Sequence, residues 1–325
     1  MVWQAIQAVI VIFLMIGAGL FVSHRKWVSR EAANVFPKII INISFPCTII
    51  YSLYTKLSRQ MLLQSWLPLM IAFFVVPIMF FFSKLIARLF KIPKELRGVF
   101  SMLFAFANAV FIGFPVAQAL FGDAGMPYAV FYYLANTTFF WTLGYYSVQK
   151  DADLISGRYS QFSIGGMLGK LVSAPIITVI VMFIVVLTGL KLPELVLTSA
   201  QYIGGMTSPL SLLFMGCVIY GIGFSGLKYE RGIGPVMLGR FLIIPVFCFA
   251  VCTLVMQLVP QGGAVDLTLM RNVFTVQSGL PVMTQTVIVA QLRGADTGYV
   301  AKAVVWTTLL SLVTIPLYMT LFQLI

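Results

Sequence analysis

Residues 98–121 read GVFSMLFAFANAVFIGFPVAQALF, an uncharged and mostly apolar run that contains a glycine and a proline near its middle. A helix of this length would cross the membrane, since about 30 Å of hydrocarbon requires roughly 20 residues. Pro115 lacks a backbone N–H and Gly113 adds conformational freedom, so we predict a break in this helix. A broken helix at that depth is tolerated only where protein buries it or where it lines a cavity. The stretch therefore predicts a membrane protein with an interrupted helix at a functional site.

The second half of the chain contains a matching interruption, Ser278-Gly279-Leu-Pro281. The preceding apolar run also looks alike in the two halves, since residues 74–77 read FVVP and residues 242–245 read LIIP. Five spans per half is an odd number, so the two halves would cross the membrane in opposite directions. The pattern therefore predicts an inverted repeat, a common plan of secondary transporters.

The composition places most of the chain in lipid. Hydrophobic residues make up 60% of the chain and charged residues 9%, whereas soluble domains have about 45–50% and about 25%. Ten runs are suitable as membrane helices: 3–22, 34–54, 62–83, 98–121, 126–148, 169–190, 195–224, 236–258, 268–292 and 298–323. We therefore expect an all-α integral membrane protein of ten transmembrane helices. Its predicted parts are a first five-helix repeat (1–148), a cytoplasmic linker (149–168) and a second, inverted five-helix repeat (169–325).

Basic residues indicate the orientation of the predicted spans. Of the 21 Lys and Arg residues, all but four lie in or beside the gaps after spans 1, 3, 5, 7 and 9; the exceptions are Lys56, Arg59, Lys191 and Arg271. Cytoplasmic loops carry an excess of Lys and Arg, so both termini are expected on the non-cytoplasmic side. The net charge of +12 thus reflects topology, and no nucleic-acid partner is expected. No basic segment precedes the first apolar run, which we interpret as a retained span.

The two interruptions predict a site for an anion. Pro115 and Pro281 are expected to begin new half-helices, so that residues 116–118 and 282–284 present N–H groups without intrahelical partners. The positive end of each helix dipole adds to the attraction for negative charge. No Asp or Glu lies near the centre of any span, which argues against an acidic proton relay or a carboxylate cation site.

Polar and helix-breaking residues cluster at both interruptions and beside two other prolines. We predict that substrate is bound by Asn108, Gly113, Pro115, Val116, Gln118, Asn136, Gln277, Ser278, Gly279, Pro281 and Thr284. A secondary or ion site is predicted at Asn42, Ser44, Thr207 and Ser208. For the polar side chains the alternative is an interhelical hydrogen bond. Arg240 lies about one turn inside its span, where we expect it to snorkel to the cytoplasmic interface; the alternative is that it steers an anion.

The joint pattern resembles the auxin efflux carrier family of permeases, over essentially the whole chain. The resemblance rests on Phe106-Ala-Asn108, Gly113-Phe-Pro115-Val116, Leu120-Phe-Gly122-Asp123, Phe45-Pro46, Pro209 to Gly216, Leu280-Pro281-Val282 and Thr314-Ile-Pro316-Leu317. It implies the fold of PIN and bile-acid transporters, in which the broken fourth and ninth helices cross at the substrate site at mid-membrane. It also implies elevator-like alternating access, with spans 1, 2, 6 and 7 as the scaffold and the other spans as the moving unit.

Two departures from the plant members of that family bear on the substrate. Plant carriers have an Asn-Pro-Asn type motif at the breaks and a long inner loop, whereas this chain has Gly-Phe-Pro, Gly-Leu-Pro and a short linker. Bacterial members are associated with malate, malonate and similar carboxylates. The resemblance therefore favours a small mono- or dicarboxylate over auxin.

We predict a secondary active transporter of such an organic anion in the cell inner membrane. The chain has no phosphate-cradling Gly-rich loop, so transport would use a H⁺ or Na⁺ gradient or the anion's own gradient, and no cofactor or metal is expected. An enzyme would need groups placed for catalysis, and the single histidine, His24, lies in a loop. The alternatives are an anion channel or uniporter, and an efflux carrier of an auxin-like aromatic carboxylate. Lipid and a small carboxylate are the expected partners, and a homodimer through the scaffold is an open alternative.

Overall fold

The fold is helical throughout the residues that the computed structural model describes, which are 2–33, 35–157, 174–222, 230–259 and 265–324. The α-helices are α1 (Val2–His24), α2 (Arg30–Ala33), α3 (Val35–Ile39), α4 (Phe45–Lys56), α5 (Arg59–Gln64), α6 (Trp66–Leu89), α7 (Arg97–Ala105), α8 (Phe114–Phe139), α9 (Tyr145–Ser156), α10 (Ala174–Thr188), α11 (Glu194–Gly205), α12 (Thr207–Ile222), α13 (Ile233–Leu238), α14 (Ile244–Leu258), α15 (Leu267–Ser278), α16 (Gln285–Arg293) and α17 (Thr297–Leu324). π-Helical turns lie at the junctions π1 (Ile40–Ser44), π2 (Ala109–Gly113), π3 (Phe140–Gly144) and π4 (Gly239–Ile243).

Several helical stretches are long and apolar enough to cross a membrane. Among the described residues they are Val35–Lys56, Trp66–Leu89, Ala109–Ser156, Glu194–Gly221 and Ile233–Leu258. Large apolar side chains are exposed on these helices, for example Phe81 on α6 and Leu195 on α11. Exposed apolar surface on this scale is typical of a protein that faces lipid. The prediction of an all-α, multi-pass membrane protein is confirmed.

The count of ten spans and the two inverted repeats remain predictions. Several predicted spans correspond to interrupted or shorter helices, such as α10, so the number of long continuous helices does not give the number of crossings. The division into repeats at residues 148 and 169 is also untested. The predicted linker lies outside the described residues from position 158 onward.

Gly122 divides a long helix at the place where the sequence predicts the boundary between spans 4 and 5. Its φ of 58° and ψ of −159° are not helical, and this combination is essentially restricted to glycine. Helical structure continues on both sides of it, from Phe114 to Phe139. At the predicted gap between the two spans, the structure therefore has a non-helical glycine within a helical stretch.

Three prolines follow π-helical turns and do not break their helices. The turns π1, π2 and π4 each end two residues before a proline, at Pro46, Pro115 and Pro245. In π2 the N–H of Gly113 donates to the carbonyl of Asn108, five residues back, at 3.0 Å. The wider turn shifts the hydrogen-bond ladder, so that each proline becomes a first-turn residue of the next α-helix, where its missing N–H costs little.

The prediction that the fourth span breaks at Gly113 and Pro115 is therefore wrong. The interruption lies at residues 106–108, where Phe106 is extended with φ −104° and ψ 127°. The next half-helix begins at Ala109, after Asn108. Residues 116–118, whose N–H groups were predicted to be free, consequently lie inside a helical stretch that begins at Ala109.

The interruption in the ninth span lies where the sequence predicts it. Helix α15 ends at Ser278, and α16 begins at Gln285, so Gly279 and Pro281 both fall in the gap. Pro281 was predicted to be the first residue of the second half-helix, but residues 282–284 separate it from the start of α16 at Gln285. The location of this break is confirmed, and its C-terminal boundary is corrected.

Helices α1 and α12 cross at two glycines that allow their backbones to touch. A Cβ on Gly19 would lie 2.1 Å from the carbonyl oxygen of Leu213, and a Cβ on Gly216 would lie 2.1 Å from that of Ile16. Small residues at such crossings allow close van der Waals packing, which stabilises helix pairs in lipid. The pair α1–α12 therefore has no room for a side chain at its closest approach.

Candidate functional site

The two interrupted helices cross through their extended segments. The N–H of Asn108 donates to the carbonyl of Pro281 at 2.9 Å, and the N–H of Met283 donates to the carbonyl of Phe106 at 3.2 Å. These bonds flank an isolated antiparallel bridge between Ala107 and Val282. In such a non-hydrogen-bonded pair the two residues lie side by side with their own peptide groups directed outward. We call residues 106–108 and 281–283 the crossover.

Side chains from two other helices satisfy the outward peptide groups of the crossover. The amide of Asn136 in α8 donates from Nδ2 to the carbonyl of Ala107 and accepts at Oδ1 from its N–H, both at 3.0 Å. On the other edge, the hydroxyl of Thr307 in α17 accepts from the N–H of Val282 at 3.3 Å. Asn136 and Thr307 are fully buried. Because peptide groups without partners are costly in hydrocarbon, these two side chains stabilise the extended backbone.

A buried guanidinium contacts the carbonyl ends of both interrupted helices. Arg240, in π4, is fully buried. Its Nε and Nη2 donate to the carbonyl of Leu280 at 2.9 and 2.8 Å, and Nη2 also donates to that of Ser278 at 2.7 Å. Its Nη1 donates to the carbonyls of Phe104 and Ala105 at 3.3 and 3.0 Å. The five N–H groups of the side chain thus satisfy carbonyls that the ends of α7 and α15 leave unpaired.

The prediction that Arg240 snorkels to the interface is therefore wrong. The physical reason is that four backbone carbonyls lie within reach of its guanidinium, so its donors are satisfied without water. These carbonyls carry the negative end of the helix dipole. Among the described residues the buried acid is Asp151, which instead accepts from the N–H groups of Gly98 and Val99 at the start of α7. No carboxylate in the described part of the chain pairs with Arg240.

Both half-helices that leave the crossover begin with N–H groups that have no acceptor in the part of the protein that the structure describes. In the first, Asn108 Oδ1 accepts from the N–H of Phe111 at 3.3 Å, while the N–H of Val110 has no acceptor among the described residues. In the second, the N–H groups of Thr284 and Gln285 likewise lack one within the described ranges. Such helix starts carry partial positive charge and favour anions.

The N–H groups of Val282 and Met283, which were predicted to be free, are occupied by the protein. That of Val282 donates to Thr307, and that of Met283 donates to Phe106. The unpaired donors among the described residues are therefore fewer than predicted. They lie earlier than predicted in the first half, at Val110, and later than predicted in the second half, at Thr284 and Gln285.

Three buried polar side-chain atoms near the two interruptions also lack a partner among the described residues. They are Nδ2 of Asn108, Oε1 of Gln277 and Oγ1 of Thr284, whose side chains are 1%, 0% and 7% exposed. Gln277 uses its other amide atom, Nε2, to donate to the carbonyl of Gly113 at 2.9 Å. A buried polar atom without a partner costs free energy. Their concentration beside the unpaired N–H groups indicates a place where a polar ligand or water is bound.

The remaining predicted residues of the second break support the crossover. Ser278 provides a carbonyl to Arg240. Gly279 packs against the ring of Tyr318, where a Cβ would lie 2.6 Å from a ring carbon. The hydroxyl of Tyr318 donates to the carbonyl of Phe241 at 2.5 Å, so it also holds π4. These contacts position the backbone of the site.

The structure places three predicted residues of α8 differently. Pro115 and Val116 are buried within the helix and follow π2. Gln118 is exposed and donates to Asp123 at 2.8 Å. Gln118 is therefore engaged at the surface of the protein, apart from the buried crossover.

The predicted secondary site has several different environments. The hydroxyl of Thr207 lies 2.8 Å from that of Thr48, which is an interhelical hydrogen bond. Ser44 is fully buried with an unpartnered hydroxyl. Asn42 is exposed and donates to a carbonyl of its own helix at 2.9 Å, and Ser208 is partly exposed. Asn42 is thus occupied locally and is not directed at the other three.

Sequence reasoning missed the roles of Arg240 and Thr307. A usable signal existed for Arg240, because an ionisable residue inside an apolar span is by default a functional candidate. Thr307 lies beside a second threonine, Thr308, and the sequence does not indicate which of the two hydroxyls accepts from a backbone N–H. Across the described residues, no group of three or more His, Cys, Asp or Glu side chains is placed to hold a metal ion.

Comparison with known proteins places these features in a family. A family described as membrane transport protein matches residues 4–319. An uncharacterized transporter of Methanocaldococcus jannaschii is 26% identical over 320 residues, which cover 96% of this chain and 97% of that protein. Both matches include the two interrupted helices and the crossover between them. The chain therefore belongs to the membrane transport protein family of auxin efflux carrier permeases.

Proposed function

We propose that the protein is a secondary active transporter of a small organic anion, a mono- or dicarboxylate such as malate or malonate, which binds at the crossover. The observation that carries this proposal is a group of donors there without an acceptor in the described residues: the N–H groups of Val110, Thr284 and Gln285 and the amide Nδ2 of Asn108. Helix starts of this kind bind carboxylates through backbone N–H groups. The buried charge of Arg240, which has no acidic partner in the described part of the chain, favours an anion further.

The antiparallel geometry supports two points of attachment for the substrate. Because residues 106–108 and 281–283 run in opposite directions, the start of π2 and the start of α16 lie at opposite ends of the crossover. A dicarboxylate can direct one carboxylate to each helix start, whereas a monocarboxylate uses one of them. The two starts thus suit short linear acids with charge at one or both ends.

The family resemblance supports the rest of the mechanism. In the proposed arrangement ten spans form two inverted repeats, and the crossover lies at mid-membrane in a unit that moves past a scaffold by elevator-like alternating access. The glycine crossing of α1 with α12, and the hydrogen bond between Thr48 and Thr207, suit elements of that scaffold because they fix its helices to each other. We further propose an inner-membrane location, with both termini on the non-cytoplasmic side and coupling to a H⁺ or Na⁺ gradient.

The test replaces the unpaired amide of Asn108 with a carboxylate. Asn108→Asp keeps the oxygen that caps π2, because Asp is also a good N-cap, but it removes the donor and adds a negative charge. Like charges in contact cost several kcal/mol, so we expect kcat/KM for radiolabelled malonate or malate uptake into proteoliposomes to fall by about 100-fold or more.

Asn42→Asp is the matched control, because Asn42 is exposed and its amide donates to the carbonyl of Lys38, one turn back along the same helical stretch. This variant is expected to transport at the wild-type rate. Full carboxylate uptake by Asn108→Asp would refute the proposed site. Counterflow of labelled substrate distinguishes a carrier from a channel, which would give an ohmic current instead, and the same assay with and without Na⁺ and at two pH values identifies the coupling ion.

A further inference from the structure

We propose that Arg240 is the positioning residue of the anion site: it fastens the two interrupted helices to each other and supplies the fixed positive charge that gives the site its preference for anions. The second half of this statement rests on the proposed function, whereas the first half does not. The inference is carried by the five hydrogen bonds of one buried side chain and by the absence of an acidic partner in the described residues.

The bonds of Arg240 join three separate parts of the chain. The residue belongs to π4, and its acceptors belong to the end of α7 (Phe104 and Ala105) and to the end of α15 and the segment after it (Ser278 and Leu280). The planar guanidinium is suited to this task, because its donors diverge in fixed directions. Removing it would leave carbonyls of both helix ends unpaired at the same time.

The surroundings of Arg240 hold it in one position. Gly239 lies so close to the ring of Phe104 that a Cβ would be 2.1 Å from a ring carbon. On the other side, Tyr318 donates its hydroxyl to the carbonyl of Phe241. The turn that carries the guanidinium is thus held between α7 and α17. A fixed charge in such a place cannot relax toward water.

The charge of Arg240 is incompletely balanced. Two helix ends with negative dipole charge face the guanidinium, but two helix starts with positive dipole charge lie at the same crossover, and these contributions are similar in size and opposite in sign. The formal charge of the side chain therefore remains as the net charge of the region. A bound carboxylate would neutralise it. Since charge interactions are strong and long-ranged in a medium of low dielectric constant, Arg240 acts on the substrate without touching it.

Two substitutions separate fastening from charge. Arg240→Gln removes the charge and most of the donors, whereas Arg240→Lys keeps the charge but cannot reach four carbonyls with a single ammonium. In proteoliposomes we expect Arg240→Gln to raise KM for malonate by about tenfold or more and to lose its preference for malonate over neutral malonamide. Arg240→Lys should keep that preference and the KM to within about threefold, while kcat falls by about tenfold.

A cross-linking assay measures the fastening without any substrate. Cysteines are placed at the bridged pair Ala107 and Val282, in a chain whose four native cysteines are replaced by alanine. The Cα atoms of such a pair are about 4.5 Å apart, within the range of about 4.4–6.8 Å that a disulfide requires. Oxidation should cross-link the parent chain readily, and both Arg240 variants should react at least about threefold more slowly.

Arg271→Gln is the matched control. Arg271 lies in the second turn of α15, away from the crossover end of that helix, and its guanidinium is stacked 4.6 Å from the ring of Phe249. This variant should change neither the cross-linking rate nor the KM. Monodisperse elution from a sizing column establishes that each variant is folded. If Arg240→Gln cannot be expressed as folded protein, Arg240→Lys alone still tests whether the side chain fastens the two helices.

The outcomes distinguish this inference from the proposed function. Unchanged cross-linking in both Arg240 variants would overturn the fastening role. An unchanged KM and anion preference in Arg240→Gln, with active wild type, would overturn the charge role. If wild type transports no carboxylate, the proposed function fails and the charge role fails with it, while the cross-linking result still decides whether Arg240 fastens the crossover.

Discussion

Replacing Asn136 with leucine should destabilise the protein through the peptide N–H of Ala107. Asn136 is fully buried, and its Nδ2 and Oδ1 each lie 3.0 Å from the main-chain partner in Ala107. Leucine has a similar shape but no polar atoms, so the buried N–H of Ala107 loses its partner, while the carbonyl of Ala107 still accepts from the N–H of Ala109 at 2.8 Å. A buried N–H without a partner costs about 1–3 kcal/mol. We therefore expect the free energy of unfolding to fall by about 1–3 kcal/mol.

The free energy of unfolding can be measured by titrating SDS into the detergent-solubilised protein and following tryptophan fluorescence. The matched control is Thr137→Val at the next position, because Thr137 is buried but its hydroxyl has no partner in the described part of the chain. This control loses no hydrogen bond, so its unfolding free energy should stay within about 1 kcal/mol of wild type. Equal effects of the two substitutions would refute the argument that the amide of Asn136 supports the crossover.

Two further predictions concern the contacts around the site. Gly19→Ala should lower the unfolding free energy in the same titration by about 1–3 kcal/mol, because its Cβ would lie 2.1 Å from the carbonyl oxygen of Leu213. Gly17 has open space around it, so Gly17→Ala should leave the unfolding free energy unchanged. A loss of equal size in both variants would contradict the close crossing. Asp151→Ala removes the carboxylate that accepts from the N–H groups of Gly98 and Val99 in the first turn of α7, so it should cost about 0.5–2 kcal/mol and speed amide exchange at the start of α7. The control Asp123→Ala should leave exchange there unchanged, and the reasoning fails if Asp151→Ala does so too.

The class of fold could be predicted from the sequence because it depends on composition and on the length of apolar runs. The break of the predicted ninth span was also predictable, since Gly279 and Pro281 both lie between the end of α15 and the start of α16. The break of the predicted fourth span was assigned to the wrong residues because a helix can accommodate a proline in two ways, by a break or by a π-helical turn. A π-helical turn before Pro115 absorbs the missing N–H, and nothing local in the sequence distinguishes that solution from a break.

The correct position of the fourth break had a signal that sequence reasoning did not use. Asn108 lies three residues before Phe111, and Asn is among the best N-cap residues, as its bond to the N–H of Phe111 shows. The choice between the two positions is made by partners distant in sequence. Pro281 and Met283 accept from and donate to the extended segment, and such pairing is invisible until the two halves are placed together.

The candidate site residues differ in the same way: those close to the breaks in sequence were predicted, and two that come from other helices were not. Asn108, Gln277 and Thr284 lie directly at the breaks, so proximity to the breaks in sequence was enough to select them. Arg240 and Thr307 reach the crossover from helices whose packing the sequence does not specify. Gln118 was selected by its distance from Pro115, and it failed to reach the crossover because the break lies elsewhere.

The pairing of the two extended segments has a consequence for biosynthesis. While the ribosome is still translating the first half, the N–H of Asn108 and the carbonyl of Phe106 have no partner, because Pro281 and Met283 have not yet been made. Hydrocarbon does not tolerate exposed peptide groups of this kind. The nascent helix must therefore keep these groups hydrated or helical until the second half emerges from the translocon. Folding around residues 106–108 is thus completed only by the arrival of residues 281–283, and a truncated first half would present an unfinished helix to quality-control proteases.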